Sequence, residues 1–353
     1  MSKIAIISDT HWGVRNDNVS FLDSSKSFLD NVFFPEIDRQ QIKIIVHLGD
    51  LVDRRKYINI QTANRLREDF LDPIKNRNLD FFMILGNHDV YYKNTNKVNA
   101  IKEVCDESVA IFDSAEEVKL DGMPVLFVPW ICDENRQHSY DMIRKSQSTI
   151  CMGHLELQGF EMFKGSICSH GDDRKLFDRF DRVLSGHFHH RSTNDNITYV
   201  GAHGQFTWSD YDDPRGFHVL DTQSRQMTFI ENPYVMFTKA WYDDSVNDLE
   251  SLMSYDTSKH KNSYVKLIVT KKTNPFWFDK FCENLEKVGI QNLHIVDDHL
   301  NLDKEDFSDV ENETESTLSI FMKHVNQINS PNVNKEKLER VIVDLYNQAV
   351  SVE

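Results

Sequence analysis

Short apolar runs alternate with helical stretches along the first two thirds of the chain. Apolar residues at helical spacing occur at about 20–40, 61–76 and 94–105. Because strands this apolar usually have both faces covered, the pattern predicts an α/β domain built on a largely buried sheet. The runs that predict its strands are rich in β-branched and large apolar residues and lie at 3–8, 43–48, 81–85, 149–152 and 183–185.

The pattern of strands and helices continues to about residue 297. A first domain is expected to span 1–235, with a further strand at 198–200, and to end in a closing hairpin of two strands. A small α/β cap domain is expected to follow at 238–297. The elements that indicate the cap are a strand at 264–270, a helix at 275–288 and a strand at 293–296.

The last part of the chain has a different composition. Acidic residues crowd into 298–316, which predicts a solvated linker. Residues 317–353 predict a helical hairpin that is too short to bury its apolar stripes against itself. The hairpin therefore docks either onto the protein's own core or onto another protein. The stripes include Leu318, Phe321, Leu338, Val341, Ile342 and Leu345.

Polar motifs directly follow five of the predicted strands. In such sheets ligand groups gather beyond the carboxyl ends of the strands, so we expect the motifs to converge. Their carboxylate, amide and imidazole groups favour manganese, iron or zinc over copper. Asp50 is the best candidate to bridge two ions, as in sites where two metals generate hydroxide and hold a phosphate. The motifs are Asp9-Thr10-His11, Gly49-Asp50-Leu51-Val52-Asp53, Gly86-Asn87-His88-Asp89, Gly153-His154 and Gly186-His187-Phe188-His189.

Each motif also has a plain structural interpretation. A single Asp-x-His after a strand is usually a turn with a capping aspartate, whereas five motifs in order favour a site. His47 lies inside a predicted strand and is expected to be a packed core residue. His190 and His203 are expected to support the site or to lie on the surface, and Asp53 to support the site or to cap a helix.

Length and composition limit the classes of protein to which the chain can belong. A chain of 353 residues is too long for one ordinary core, which predicts two domains and a tail. Apolar runs fall short of the ~20 residues of a membrane-spanning helix, and we expect no signal peptide because the sequence begins on a strand. Five scattered cysteines without a CxxC pattern indicate a cytoplasmic protein. The net charge of −16 argues against coating nucleic acid by charge alone, but it does not exclude a nuclease.

The five motifs, in this order, resemble those of the calcineurin-like metallophosphoesterases. The resemblance implies a β-sandwich flanked by helices and a centre of two divalent ions, with manganese the first choice. It leaves His88 free of metal and over the phosphate, where it would stabilise the transition state or protonate the leaving oxygen. Asp89 would orient the ring of His88. The implied ligands are Asp9, His11, Asp50 and His189 for one ion and Asp50, Asn87, His154 and His187 for the other.

Longer segments resemble a narrower group, the SbcD-type double-strand-break repair nucleases, including its compact phage members. The resemblance implies a DNA exonuclease on duplex ends and an endonuclease on single strands. Such an enzyme would act as a homodimer with two copies of an SMC-like ATPase, in the host cytoplasm if the chain is phage-encoded. The terminal hairpin would dock onto the ATPase. The segments are SDTHWG at 8–13, GDLVDRRK at 49–56, GNHDVYYKN at 86–94 and DPRGF at 213–217.

Side chains beside the second and third motifs are candidates for contacts with DNA. Basic groups can hold phosphates, and tyrosines can stack on bases. The alternatives are a solvated helix start for the basic run and packing beneath the loop for the tyrosines. Two other functions stay open, a phosphoesterase for a small molecule or a phosphoprotein and a non-catalytic scaffold. The candidates for DNA contacts are Arg54, Arg55, Lys56, Tyr91, Lys93 and Asn94.

Overall fold

Strands and helices contribute similar numbers of residues to the described part of the chain. The computed structural model describes residues 2–297, together with Leu338 and Val341. In chain order, the strands of these residues are β1 Lys3–Ile7, β2 Ile44–His47, β3 Asp80–Ile84, β4 Val109–Phe112, β5 Glu116–Leu120, β6 Met123–Val128, β7 Ile150–His154, β8 Glu161–Phe163, β9 Ser166–Ile167, β10 Arg182–Gly186, β11 Ser192–Asn194, β12 Ile197–Tyr199, β13 Gly216–Asp221, β14 Met227–Glu231, β15 Phe237–Asp243, β16 Tyr264–Lys271 and β17 Asn292–Val296.

Two sheets share one apolar core. In the described part of the chain, one sheet has six strands in the order β14-β13-β1-β2-β3-β4, and the other has six in the order β11-β12-β10-β7-β6-β5. Strands β1 to β4 run parallel, as do β6, β7, β10 and β12. The shared core buries Ile6, Val46, Phe127, Met152 and Leu184. The predicted sandwich is therefore confirmed.

Two long helical segments pack on the first sheet through Phe28, Phe33 and Phe70, which are buried in one cluster with Ala5 and Ile45. They agree with the helices predicted at 20–40 and 61–76. Each contains a π turn between two α-helices. The first runs through Val19–Phe28, Leu29–Phe33 and Phe34–Gln40, and the second through Ile60–Leu66, Arg67–Leu71 and Asp72–Asn76.

The prediction of a helix at 94–105 is wrong over most of that range, because only Ala100–Val104 is helical. Side-chain hydrogen bonds hold the preceding residues in a loop. The Asn96 amide donates to the carbonyl oxygens of Asp113 (3.1 Å) and Trp130 (2.9 Å). Asn99 then caps the short helix by accepting from the Lys102 N–H at 3.0 Å. Local side-chain bonding of this kind competes with helix formation.

Several elements escape the apolar pattern because they are half polar. Strand β5, EEVKL, lies at a sheet edge, and four of its five residues are exposed or half-buried. Strand β15 alternates buried positions with Lys239 and Trp241. The helix Arg136–Lys145 is strongly polar and buries only Ser139 and Ile143. Partial burial needs few apolar residues, so such segments resemble loops in sequence.

A small sheet follows the sandwich and has a core of its own. Strands β15, β16 and β17 are parallel, and helices Leu249–Met253 and Pro275–Lys287 accompany them. Tyr242, Leu267 and Phe281 are among the buried residues of this core. The sheet occupies the residues predicted to form the cap, but Met1–Phe206 and Asp210–Asp297 form one compact unit. The domain boundaries therefore stay a prediction.

Little of the predicted tail falls within the described residues. Leu338 and Val341 are helical, with Leu338 half-buried and Val341 45% exposed. The linker 298–316 and the candidate partner residues Leu318, Phe321, Ile342 and Leu345 lie outside the described residues. Among the helices that the structure does describe, none is both long and apolar enough to cross a membrane.

We predict that Phe281→Ala destabilises the cap. Phe281 is 1% exposed and its ring lies 5.5 Å from that of Tyr242, so the change should cost about 3–5 kcal/mol of unfolding free energy. Urea unfolding would measure it. Phe276→Ala on the same helix is the matched control, because Phe276 is 60% exposed and its loss should change stability by under about 0.5 kcal/mol. Equal effects of the two changes would contradict this account of the cap core.

Candidate metal centre

Loops at one end of the two sheets bring the predicted ligands together. Strands β1, β2 and β3 are parallel neighbours in one sheet, and β7 and β10 are parallel neighbours in the other. Their carboxyl ends therefore meet at the same end of the sandwich. The side chains that gather there are Asp9, His11, Asp50, Asn87, His154, His187 and His189.

The first donor cluster consists of Asp9, His11 and His189. One ligand atom from each lies within 4.8 Å of the others. The Nε2 atoms of His11 and His189 are 3.0 Å apart, so both rings point at the same place. Asp9 is completely buried. The cluster matches three of the four ligands expected for one ion.

The second donor cluster consists of Asp50, His154 and His187, again with ligand atoms within 4.8 Å of one another, together with Asn87. The Asn87 amide oxygen lies 3.0 Å from both His154 Nε2 and His187 Nδ1. All four side chains predicted for the other ion thus converge.

Asp50 lies between the two clusters. Its Oδ1 accepts the backbone N–H of His88 at 2.7 Å. Its Oδ2 lies 3.8 Å from His11 Nε2 and 3.3 Å from His154 Nε2. Burial acts to raise the pKa of Asp50, but His154, His88 and His11 hold it well below its usual value. A bridging carboxylate requires one oxygen that is fixed and one that faces both clusters. Asp50 has both.

The centre attracts positive charge strongly. Burial lowers the pKa of a histidine, yet pairing with Asp53 and the charges of Asp50 and Asp9 raise the pKa of His11 to about 10. Against the same burial, Asp50 raises the pKa of His154 to about 9. Buried carboxylates need a cation or hydrogen-bond donors as partners. An oxygen and nitrogen donor set with this charge fits divalent cations.

The backbone carries strain at these ligands. Asp9 (φ 51°), His11 (φ 43°), Asp50 (φ 56°) and His187 (φ 91°) all lie in the left-handed region. Non-glycine residues rarely adopt it, and such strain is concentrated at functional sites because surrounding structure must hold it. In this protein the strained residues lie where side chains turn inward from the ends of strands.

Two glycines make the close approach of the loops possible. Gly49 has φ 99°, and a Cβ there would lie 2.3 Å from His154 Nδ1. A Cβ on Gly86 would lie 2.1 Å from Asp50 Oδ1. Contacts this short exclude any other residue while the donors stay in place.

His88 is held by the backbone of the second motif. Its Nδ1 lies 2.5 Å from the carbonyl oxygen of Asp53. Its ring is edge-on to His11, 4.9 Å away between centroids. Burial lowers the pKa of His88. Because a carbonyl oxygen only accepts, Nδ1 carries the hydrogen and Nε2 is the atom available to a substrate.

The expectation that Asp89 orients His88 is wrong. The Asp89 carboxylate instead accepts the backbone N–H groups of Asp50 (2.8 Å), Leu51 (2.9 Å), Val52 (3.3 Å) and Gly86 (2.8 Å). It is fully buried and links the loops after β2 and β3. Its carboxylate oxygens are thus committed to the backbone.

The candidates for DNA contacts have different environments. Arg54 donates to Asp17 (2.8 Å) and to Asn16 (3.1 Å), so it is already paired. Arg55 is half-buried, and its Nη1 has no hydrogen-bond partner among the described residues. Exposed side chains complete the set, namely Lys56, Tyr91, Tyr92, Lys93 and Asn94.

Other histidines lie as expected around the centre. His47 is buried in β2 with its Nε2 3.0 Å from Thr10 Oγ1, and burial lowers its pKa to about 3. His190 Nδ1 lies 2.9 Å from Asp213 Oδ2, and His203 Nε2 lies 3.0 Å from Ser25 Oγ. Asp53 caps no helix in the described part of the chain, and its Oδ1 lies 3.5 Å from His11 Nδ1.

Comparison with known proteins agrees with this geometry. Residues 2–191 match the family model of the calcineurin-like phosphoesterases. The chain belongs to that family. Calcineurin-like phosphoesterases are enzymes that use divalent metal ions, and both donor clusters lie within or just at the end of the matched region.

Curated relatives extend the similarity of this calcineurin-like phosphoesterase. Exonuclease subunit 1 of Enterobacteria phage T4 is 30% identical over 346 residues, which are 96% of each chain. An SbcCD nuclease subunit of Staphylococcus saprophyticus is 24% identical over 261 residues, 64% of this chain and 67% of that protein. Its counterpart in Staphylococcus epidermidis is 24% identical over 255 residues, with the same shares. The resemblance to SbcD-type nucleases is confirmed.

Two side chains of the centre stand outside all five motifs. The ring of Trp130 lies 5.2 Å from that of His187, centroid to centroid. Glu156 Oε1 lies 3.6 Å from His187 Nε2. Trp130 follows β6, a strand with the apolar run MPVLFV. The sequence signal that could have revealed Glu156 is its place two positions after His154, a predicted ligand.

We predict that Asp50→Ala prevents the protein from binding two divalent ions. Removing the carboxylate between the clusters leaves neither with its full donor set. Calorimetry with Mn²⁺ should show at most one ion bound per chain. Asp106→Ala is the control, since that exposed carboxylate pairs with Lys75 away from the centre. A folded Asp50→Ala protein that binds both ions with unchanged affinity would contradict the assignment.

Proposed function

We propose that this chain is the nuclease subunit of a DNA-processing complex and works with an SMC-like ATPase. The single observation that carries the proposal is the placement of Asp50 between two buried donor clusters. The names of the relatives support the choice of substrate and of a partner, since one is an exonuclease subunit and two are subunits of the SbcCD nuclease.

The residues divide the work of phosphodiester hydrolysis among them. When bound, two divalent ions would supply a pair of Lewis acids that lowers the pKa of water and neutralises phosphate charge. Asp9, His11 and His189 hold one position, Asn87, His154 and His187 hold the other, and Asp50 is shared. The donor set of oxygen and nitrogen without thiolate suits manganese, iron or zinc, and of these manganese is the proposed metal because the resemblance to the family favours it.

His88 is proposed to act on the phosphate group. The Asp53 carbonyl fixes the hydrogen on Nδ1, so Nε2 is the atom that stabilises the transition state or passes a proton to the leaving oxygen. The ring contact with His11 keeps it beside the first donor cluster. His88 also belongs to a third group of possible metal donors, with His11 and Asp53, and the proposal leaves it without a metal bond.

DNA is proposed to lie across the loops after β2 and β3. The exposed Lys56 follows the second motif, and the exposed Tyr91, Tyr92 and Lys93 follow the third. Arg55 is half-buried and its Nη1 is buried, so this side chain would have to turn outward to reach a phosphate. Basic groups would hold phosphates and the tyrosines would stack on bases. Arg54 is proposed to order the loop through Asp17, because its donors are engaged there.

The partner and the assembly belong to the same proposal. The tail 317–353 would bind the coiled coil of the ATPase, and a homodimer would place two nuclease chains beside two ATPase chains. Co-purification with the ATPase, followed by Mn²⁺-dependent digestion of linear duplex DNA, tests the proposal as a whole. Hydrolysis of aryl phosphates or cyclic nucleotides without any digestion of DNA would refute it.

We predict that His88→Ala retains metal binding but lowers the rate of DNA hydrolysis by ~10²–10⁴-fold, the usual contribution of general acid–base catalysis. Calorimetry with Mn²⁺ and a nuclease assay on the same preparation would separate the two effects. His138→Ala is the control, because His138 contacts the Ala115 carbonyl away from the donors. Loss of metal together with activity would make His88 a ligand instead.

We predict that deleting 317–353 leaves a folded protein that binds metal but not the ATPase. Weak metal-dependent cleavage of single strands should survive, while ATP-stimulated digestion of duplex ends should disappear. Pull-down and melting temperature would be measured together. Val341→Glu offers a milder test. Because Val341 is exposed, this change should weaken binding of the ATPase without lowering the melting temperature of the chain. A truncated protein that unfolds, or one that still binds the ATPase, would refute docking through the tail.

A further inference from the structure

His187 has one ring nitrogen inside the centre and one outside it. Its Nδ1 lies 3.0 Å from the Asn87 amide oxygen, in the second donor cluster. Its Nε2 is buried and has no hydrogen-bond partner among the described residues. The carboxylate of Glu156 lies close to this nitrogen, with Oε1 3.6 Å away.

Two other histidines of the centre show which groups lie beside the ring nitrogen that faces away from the donors. His154 turns Nε2 to the donors and holds Nδ1 2.7 Å from the Leu48 carbonyl oxygen. His11 likewise turns Nε2 to the donors, with Nδ1 3.5 Å from the Asp53 carboxylate. A histidine that ligates a metal almost always gives its other N–H to a carboxylate, a carbonyl or a water. At His187 the group in that position is Glu156.

Glu156 is fixed at its backbone and at its side chain. Its carbonyl oxygen accepts the Asp172 N–H at 2.8 Å, and a Cβ on Gly171 would lie 2.4 Å from that oxygen. Its Oε1 also lies 3.3 Å from His170 Nε2. The carboxylate therefore lies between His187 and His170, and it is 26% exposed.

A small cavity gives the Glu156 side chain room to close the remaining distance. The cavity has a volume of about 300 Å³ and is lined by Glu156, Trp130, Arg136 and Asp172, among others. The Trp130 ring, 5.2 Å from His187, limits how far that imidazole can tilt. A shift of the carboxylate by less than about one ångström would convert the 3.6 Å contact into a hydrogen bond.

We propose that Glu156 is a positioning residue that accepts the Nε2 hydrogen of His187 and so sets the affinity of the second donor cluster for a divalent cation. The hydrogen bond holds Nδ1 toward Asn87 and Asp50 and makes that nitrogen a stronger donor. Glu156 touches neither substrate nor the metal position directly. The inference rests on the proposed function only in taking this cluster as a metal site.

Calorimetry with Mn²⁺ on the full chain tests the inference. Glu156→Ala should weaken one of the two bound ions by about 10–100-fold and leave the other unchanged. Glu156→Gln retains a carbonyl acceptor, so it should recover most of the lost affinity. Asp172→Asn is the matched control, because Asp172 lines the same cavity but contacts Tyr140 and Arg136. Its affinities should equal those of the unaltered protein.

A second readout needs no metal. In the metal-free protein, the Asn87 amide oxygen beside Nδ1 and the Glu156 carboxylate beside Nε2 are both acceptors that compete for the ring hydrogen of His187. The charged carboxylate should be the stronger acceptor, so NMR of the protein labelled with ¹⁵N-histidine should find His187 mainly as the Nε2–H tautomer. Glu156→Ala should shift it toward the Nδ1–H tautomer. An unaltered protein that binds no Mn²⁺ would refute the proposed function while leaving the tautomer test of Glu156 intact. Glu156→Ala with both affinities and the tautomer unchanged would overturn the inference, as would an equal loss of affinity in Asp172→Asn.

Discussion

The buried carboxylate of Asp89 is the interaction on which the centre depends. It accepts four backbone N–H groups, three from Asp50, Leu51 and Val52 and one from Gly86. Burial raises the pKa of Asp89, and the N–H groups of Gly86 and Val52 act against that shift. A buried anion is tolerated only with such partners, so the loops after β2 and β3 cannot separate without exposing or protonating it.

The placement of Asp50 and of the His88 backbone follows from this clamp. With the two loops joined, Asp50 stands between the donor clusters, and the His88 N–H reaches its Oδ1. The clamp also offsets strain, since Asp50 has φ 56° and Gly49 has φ 99° in the same turn. Strained turns persist where neighbouring contacts over-determine them. The backbone of the two loops thus fixes where the Asp50 side chain stands.

The sequence predicts which side chains converge at the centre, because these side chains follow apolar strands in recognisable order. Asp9, Asn87 and His154 all lie where strand ends in parallel sheets would place them. The sequence does not predict the groups that hold these side chains in place. A carbonyl oxygen such as that of Leu48 or Asp53 has no signature, since every residue carries one. Edge strands such as β5 and β15 escape for a related reason, because half-polar segments lack the apolar continuity of buried strands.

Asp89 shows why adjacency in sequence misleads about support. It follows His88 directly, and consecutive residues in a tight turn point their side chains in different directions. Asp89 therefore points into the backbone of the neighbouring loop, while His88 turns outward and is steadied by a carbonyl group 35 residues earlier. The motif therefore holds two different side chains: Asp89 joins the two loops, and His88 is presented from them. The carboxylate of Asp89 thus matters for geometry, and the role proposed for His88 depends on it only through the shape of the two loops.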